Sequence, residues 1–410
     1  MSEPGAGVVI VGGGHAGGSA AALLRQADYR GAITIVGEEP IAPYQRPPLS
    51  KAWLKGEADA ESLALRPDSF YAEQDIGLRL STRAVSIQRD ARTVTLEGGE
   101  TVSYEALILA TGARARRLTL PGSDLGGVMV LRSATDAEGL KQALGPGKRL
   151  AVVGGGYIGL EAAASARALG AEAVVIEAMP RILARSSCQA LSDFFTGYHE
   201  ARGVAFELGA TIEGFEGKDG HVSGVRLAGG RVIACDDVVV GVGIIPNDEL
   251  ARHAGIACDN GIVVDLEART SDPAIFAIGD VTQRPLPLYA RSHRLESVAN
   301  ALEQARQAAS AIAGAPAPAH EVTWNWSDQY DIKLQLAGMP FDADDTILRG
   351  DPAAAKFAVF HMKGSVIRAV EAINAPAEFM AGKMLIGSQK PIDRAKLADS
   401  RVSMKEVAAG

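Results

Sequence analysis

Two glycine clusters carry the first recognisable chemistry of this sequence. Residues 8–17 read VVIVGGGHAG and residues 150–159 read LAVVGGGYIG. Each contains GxGxxG, with Gly12, Gly14 and Gly17 in one copy and Gly154, Gly156 and Gly159 in the other. Such spacing suits a pyrophosphate: the first glycine permits a tight turn, the second lets the backbone approach the phosphates, and the third lets the next helix lie close to the strand. The free amides and dipole at the helix start favour an anion there. One cluster alone could be a packed turn, but here each copy follows an apolar run and opens an Ala-rich helical stretch. An acid is expected roughly 20 residues further on to accept ribose hydroxyls. Glu38 lies 26 residues after Gly12, and Glu177 lies 23 after Gly154. Glu177 would repel a 2′-phosphate, and the AMP triplet after it offers no base, so NADH is expected over NADPH. Arg181 is the residue that could reverse this expectation. His15, inside the first loop, reads as a tolerated loop residue.

The elements that must position these loops form two βαβ units. A strand and glycine turn lead into helices at Ser19 to Gln26 and Leu160 to Leu169, followed by second strands at Ala32–Val36 and Ala173–Ile176. Two dinucleotide sites in one chain suggest one nicotinamide and one flavin held face to face, since a hydride passes only between rings at near-attack distance. Further strands are expected at Ala106–Ala110, Asp237–Val242 and Ile275–Ile278, and a long amphipathic helix from Ser297 to Ala313, closed by Gly314. The APAPA run at 315–319 marks a linker. Beyond it the pattern shifts to short alternating strands, with a hairpin at Lys363-Gly364, as in a small α+β domain.

Composition narrows the function classes. A chain of 410 residues, 47% hydrophobic and 22% charged, is a folded protein of several domains. Its formal charge of −8 and lack of any Lys/Arg run argue against nucleic acid. No apolar run approaches the ~20 residues that cross a membrane, and no signal-peptide core is present, so the cytoplasm is expected. The three cysteines, Cys188, Cys235 and Cys258, are widely spaced without CxxC, so neither a disulfide framework nor a metal site is expected.

PYQRPPLSKAWL (43–54), LILATGAR (107–114), VVGGGYIGLE (152–161), TSDPAIFAIGD (270–280), RLESVANALEQAR (294–306) and WNWSDQY (324–330) together resemble the FAD-dependent ferredoxin reductases that feed bacterial oxygenases, the putidaredoxin reductase-like family. The resemblance spans essentially the whole chain. It implies an α/β fold with two Rossmann-like dinucleotide-binding domains of glutathione reductase-like kind plus a small α+β C-terminal domain. The divisions expected are an FAD domain of 1–113 and 248–314, an NAD domain of 114–247, and a C-terminal domain of 315–410.

Carried over by residue, the resemblance makes the first loop and Glu38 the FAD adenosine site. It places Ala110, Thr111 and Gly112 at the FAD phosphates and Asp280 at the ribityl chain. Val298, opening the long helix, would face the flavin pyrimidine edge, where free helix amides stabilise the charge of the reduced ring. Lys51 and Glu161 would flank the flavin N5 on the nicotinamide side, and Trp326 would lie near the isoalloxazine. Trp324 and Trp326 alternate on an expected strand, one in the core and one facing a site. Further cofactor contacts are implied at Ala16, Ala84 and Arg132, and at Tyr157, Ile158 and Gly243.

The stretch PYQRPP holds no thiol where related peroxide or oxygen reducers carry a cysteine. With no redox cysteine pair either, electrons must leave directly from the flavin, which suits a one-electron carrier such as a 2Fe-2S ferredoxin supplying a cytochrome-type monooxygenase or ring-hydroxylating dioxygenase. The alternatives are a rubredoxin reductase or an NADH oxidase or quinone reductase on the same scaffold, and a flavin-binding signalling protein. An acidic ferredoxin would dock on local positive charge, for which Arg291, Arg294, Arg306, Lys390 and Arg394 are candidates.

Overall fold

The computed structural model of the protein describes residues 6–409. Both glycine clusters turn a parallel strand into a helix. Gly7–Val11 leads into His15–Gln26 and returns as Ile33–Val36. Arg149–Val153 leads into Tyr157–Ala168 and returns as Glu172–Glu177. Both helices begin a turn or so earlier than the apolar pattern suggests. Glycines are poor helix formers, but Gly17 and Gly159 are held helical by their packing on the strand.

Packing gathers the described residues into two compact units: residues 6–45 with 60–114 and 246–325, and residues 46–59 with 115–245 and 326–409. The chain crosses between the units at 45/46, 59/60, 114/115, 245/246 and 325/326, so residues 46–59 and the C-terminal segment pack with the inserted unit.

In the first unit the parallel strands run in the order Ile76–Arg79, Ile33–Val36, Gly7–Val11, Thr101–Leu109, with Ile275–Ala277 beside the last. Thr101–Leu109 also carries an antiparallel ribbon, Thr93–Leu96 and Ala84–Gln88. The helix Val298–Ala313 is capped by Ser297, whose hydroxyl accepts the Asn300 amide at 3.1 Å, and ends at Gly314 with φ +67°. Its alanines, Ala301, Ala305 and Ala308, share one apolar cluster with Ala16, Ala20 and Ala21 of the first glycine-loop helix. Small residues there let the two backbones approach. The same helix buries Glu303, paired with Arg284 at 2.9 Å, and Asn300 also accepts from that guanidinium, partly offsetting its desolvation.

The second unit has an all-parallel sheet in the order Val204–Leu208, Glu172–Glu177, Arg149–Val153, Asp237–Val240, Val128–Val130. The C-terminal sheet runs Trp324–Gln329, Ile332–Gly338, Val366–Ile373, Lys356–Lys363, Asp345–Asp351, with the expected hairpin turning at Gly364 (φ +58°). Leu334, Phe357, Val359 and Ile373 from this sheet join Leu150, Val152 and Val175 in one apolar cluster. A shared core explains why the segment after the linker packs with 115–245.

Candidate functional site

The two glycine turns repeat one bonding scheme. The Gly12 amide donates to Val36 O at 2.8 Å, and the Gly154 amide to Ile176 O at 2.8 Å. Both glycines have left-handed backbones, φ +120° and +106°, and a methyl on either would strike a carbonyl, Ala110 O at 2.1 Å or Gly241 O at 2.5 Å. Gly17 and Gly159 are equally constrained, since a Cβ on them would lie 2.0 Å from Gly12 O and 2.2 Å from Gly154 O. The loops facing them also correspond: Ala110 donates to Val11 O at 2.8 Å and Gly241 to Val153 O at 2.7 Å, which aligns Gly112 with Gly243.

What these turns can hold follows from what they leave open. The N-caps, Gly14 and Gly156, supply no side-chain cap, so the first amides of both helices await an acceptor. A Cβ on Gly156 would meet nothing within 4 Å. In the first turn, His15 Nδ1 is buried without a hydrogen-bond partner, and burial lowers its pKa. Uncapped amides in both turns, with an orphaned buried nitrogen in the first and open space in the second, fit a pyrophosphate.

In the first unit Gly12, Gly14, Ala16, Gly17, Ala110, Thr111 and Gly112 come together. Gly279-Asp280 lies against the first helix, where a Cβ on Gly279 would be 3.1 Å from Ala16 Cβ. Val298 is the first residue of the long helix, as expected. Ala84 begins the outer strand of the ribbon and is half-buried. Asn247 is a residue the sequence did not single out. Its side chain donates to Thr111 O at 2.9 Å, Thr111 donates to Asn247 O at 2.7 Å, and the Asn247 amide donates to Gly112 O at 2.9 Å. It latches the loop over the glycine turn, and no local signal marks it, because its partners are 136 residues away.

Glu38 and Glu177 are not equivalent. Aligning Val36 with Ile176 puts Gly37 where Glu177 stands, so Glu38 is one residue further out. Glu38 is exposed and pairs with Arg83 at 3.3 Å. Glu177 instead turns onto its own glycine loop, accepting the Gly155 amide at 2.7 Å and the Met179 amide at 2.8 Å. Tyr157 and exposed Ile158 open the adjoining helix, and Gly243 is exposed with φ +105°. Arg181 is held by its own loop. Its guanidinium donates to Ser187 O at 3.0 Å, Ser192 Oγ at 2.5 Å and Ala184 O at 3.2 Å.

Lys51 and Glu161 meet within the second unit, Nζ to Oε2 at 2.6 Å. Lys51 follows a 3-10 turn over Pro47–Ser50, where the prolines pre-set φ. Glu161, in the second glycine-loop helix, is only 2% exposed. Its other donors are Ser50 Oγ at 2.5 Å and Ser327 Oγ at 2.6 Å. An unpaired buried carboxylate would be costly, and three donors surround this one. Neither serine was evident in the sequence. Arg132 stands just before the helix Ala134–Ala143, and its carbonyl accepts from Arg46 at 2.8 Å.

The tryptophans correct the sequence reading. Residues two apart on a strand share a face, so Trp324 and Trp326 lie together, both half-buried, and neither is core. The buried face of that strand carries Ser327 and Gln329. Among the candidate docking cations, Arg306 pairs with Glu321 at 2.7 Å, Arg294 with Glu296 at 2.6 Å, and Arg394 with Asp345.

Cys188, Cys235 and Cys258 are free, and burial pushes the first two up to about 12 and the third upward. None is a thiolate near neutral pH, in keeping with a site that uses no thiol relay. Cys188 gathers with His361 and Glu371 in a set of ligand-type side chains. One carboxylate oxygen of Glu371 accepts the Cys188 amide at 3.3 Å, while His361 Nε2, 3.4 Å from the other, is buried without a hydrogen-bond partner. No helix among the described residues is long and apolar enough to cross a membrane.

Comparisons with known proteins agree with this geometry. The family model described as pyridine nucleotide-disulphide oxidoreductase matches residues 6–305, and the one described as reductase C-terminal matches 324–408. The chain is 53% identical over 402 residues to a probable ferredoxin reductase, CtmF, of Castellaniella defragrans, covering 98% of each. It is 42% identical over 369 residues to a rubredoxin-NAD(+) reductase of Pseudomonas putida, 90% of this chain and 96% of that one. The reductase in the crystal structure of the covalent putidaredoxin reductase–putidaredoxin complex superimposes with TM-score 0.96 at 39% identity, covering 99% of both chains. The chain belongs to the pyridine nucleotide-disulphide oxidoreductases.

Proposed function

We propose that the protein is an NADH-dependent ferredoxin reductase serving an oxygenase. FAD, when bound, would accept a hydride from NADH and deliver electrons singly to a 2Fe-2S ferredoxin. The first glycine turn, with the Ala110–Gly112 loop, Glu38, Ala16, Ala84, Arg132, Asp280 and Val298, would hold FAD. The second, with Tyr157, Ile158, Glu177 and Gly243, would hold NADH. In domain terms, FAD would belong to residues 1–113 and 248–314 and NADH to 114–247, with 315–410 contributing Trp326. Free thiols suit a reducing compartment, so the cytoplasm is the proposed location.

The observation that carries this reading is the repeated glycine turn, each copy opening a helix without a side-chain cap, in a chain where burial raises the pKa of every thiol. Lys51 and Glu161 are proposed to order the hydride-transfer face, the ammonium being fixed by a carboxylate that cannot swing away from its three donors. NADH is favoured because Glu177, proposed to accept the ribose hydroxyls, would repel a 2′-phosphate, and Arg181 is tied to the carbonyls of Ala184 and Ser187. Ferredoxin is favoured over rubredoxin by the higher likeness to CtmF over a longer span.

Visible spectra before and after anaerobic NADH test the proposal. Flavin bands that bleach with NADH and hardly with NADPH, followed by ferredoxin-dependent cytochrome c reduction, are expected. A protein that stays colourless after incubation with FAD would refute it.

A further inference from the structure

We propose that Ser327, Gln329 and His199 are positioning residues that clamp Glu161, and through it Lys51, by a one-way chain of hydrogen bonds. The inference rests on the reading that Lys51 and Glu161 serve hydride transfer.

The chain is continuous and lies within one compact unit. Ser327 Oγ is 2.6 Å from Glu161 Oε1, Gln329 Nε2 is 3.1 Å from Ser327 Oγ, and His199 Nε2 is 2.8 Å from Gln329 Oε1. Tyr330 OH lies 3.4 Å from His199 Nδ1 at the far end. Ser327, Gln329 and His199 are all but fully buried. Ser327 and Gln329 share the inward face of one strand, while His199 closes the last turn of the helix Gln189–Glu200.

The carboxylate fixes the direction of every link. An ionised carboxylate only accepts, so the Ser327 hydroxyl must donate to Glu161. Its oxygen is then left to accept, and the Gln329 amide supplies that donor. The Gln329 carbonyl in turn faces His199, which must carry its proton on Nε2 and leave Nδ1 to accept from Tyr330. Burial pushes His199 down to about 4, so the ring is neutral at neutral pH and the single-proton tautomer required here is the stable one.

The arrangement holds and does not conduct. A primary amide donates at nitrogen and accepts at oxygen, and it cannot pass a proton along without ceasing to be an amide. Gln329 therefore insulates Glu161 from His199 while transmitting geometry. With Ser50 gripping the opposite oxygen, the Glu161 rotamer is set from two sides. The Lys51 ammonium, also donating to Pro47 O at 3.1 Å, is placed by that rotamer.

The test uses the flavin-loaded full chain and reads two quantities besides turnover: the flavin midpoint potential and the dissociation constant for NADH in anaerobic rapid-mixing experiments. Ser327→Ala removes one oxygen, and Gln329→Leu keeps the volume, so both should fold and bind FAD. Each should slow flavin reduction about tenfold, the scale of a hydrogen bond to a charged group. NADH affinity should stay constant and the midpoint potential should move. Ser327→Thr should restore rate and potential, and the two substitutions combined should cost no more than either alone. Glu161→Gln and Lys51→Met serve as references. If both leave rate and potential at wild-type values, the reading of the pair and the clamp fall together. If those references change but Ser327→Ala and Gln329→Leu do not, the pair stands and the clamp is overturned.

Discussion

Glu177 Oε2 accepts the amide of Gly155 at 2.7 Å, tying the acid at the end of one strand to the glycine turn at the end of its neighbour. The carboxylate thus braces the turn, in addition to whatever it accepts from a ribose. Glu177→Ala should therefore lower kcat/KM for NADH about ten- to a hundredfold, through the lost brace as well as the lost ribose contact. It should not create an NADPH enzyme, because Arg181 remains bonded to Ser187, Ser192 and Ala184. Steady-state kinetics with both donors will check this. A gain in NADPH kcat/KM above the NADH value would contradict it.

The glycine turns separate the two cofactors by mutation. Gly12→Ala drives a methyl to 2.1 Å from Ala110 O, and Gly154→Ala to 2.5 Å from Gly241 O, both at left-handed φ. Gly12→Ala should purify with little flavin absorbance. Gly154→Ala should keep its flavin yet resist bleaching by NADH. The reverse pattern would exchange the two assignments.

Thiol chemistry should be dispensable. Cys188→Ser, Cys235→Ala and Cys258→Ser combined should keep NADH-dependent ferredoxin reduction within about twofold of wild type, as expected when no group of the site is removed. Because burial holds Cys188 and Cys235 near 12, alkylation of the native protein should be slow at neutral pH and rise only well above it. Rapid alkylation of the native protein at pH 7, followed by mass spectrometry, would count against the absence of a reactive thiol.

His199 gives a pH signature. Its native pKa, about 4, lies below the ordinary 6.5, so between these values the unfolded chain binds a proton that the native chain refuses. Stability should fall as pH drops from 6.5 towards 4, by up to about 3 kcal/mol from this residue. His199→Gln, which cannot titrate, should flatten that part of the profile in denaturant melts. An unchanged slope would mean that carboxylates alone set it.

The sequence by itself determined what is local. Two glycine turns, their flanking strands, the Ser297 and Gly314 helix ends and the hairpin at Gly364 were all legible, because φ, capping and close backbone approach act over a few residues. Family motifs extended that reading to Lys51 and Glu161 as a pair.

Tertiary structure decided what depends on distant partners. Ser327 reaches Glu161 across 166 residues, His199 reaches Gln329 across 130, and Asn247 reaches Thr111 across 136, so no window of sequence contains either end of these bonds together. Strand register placed both tryptophans on one face and gave the buried face to polar side chains. Glu38 moved one residue outward because the strand before it ends at Val36, with Gly37 at the position Glu177 fills in the other copy. Hydrogen bonds are directional and reach about 3 Å, so only the fold could choose which serine, glutamine and histidine would surround a carboxylate whose presence the sequence had already announced.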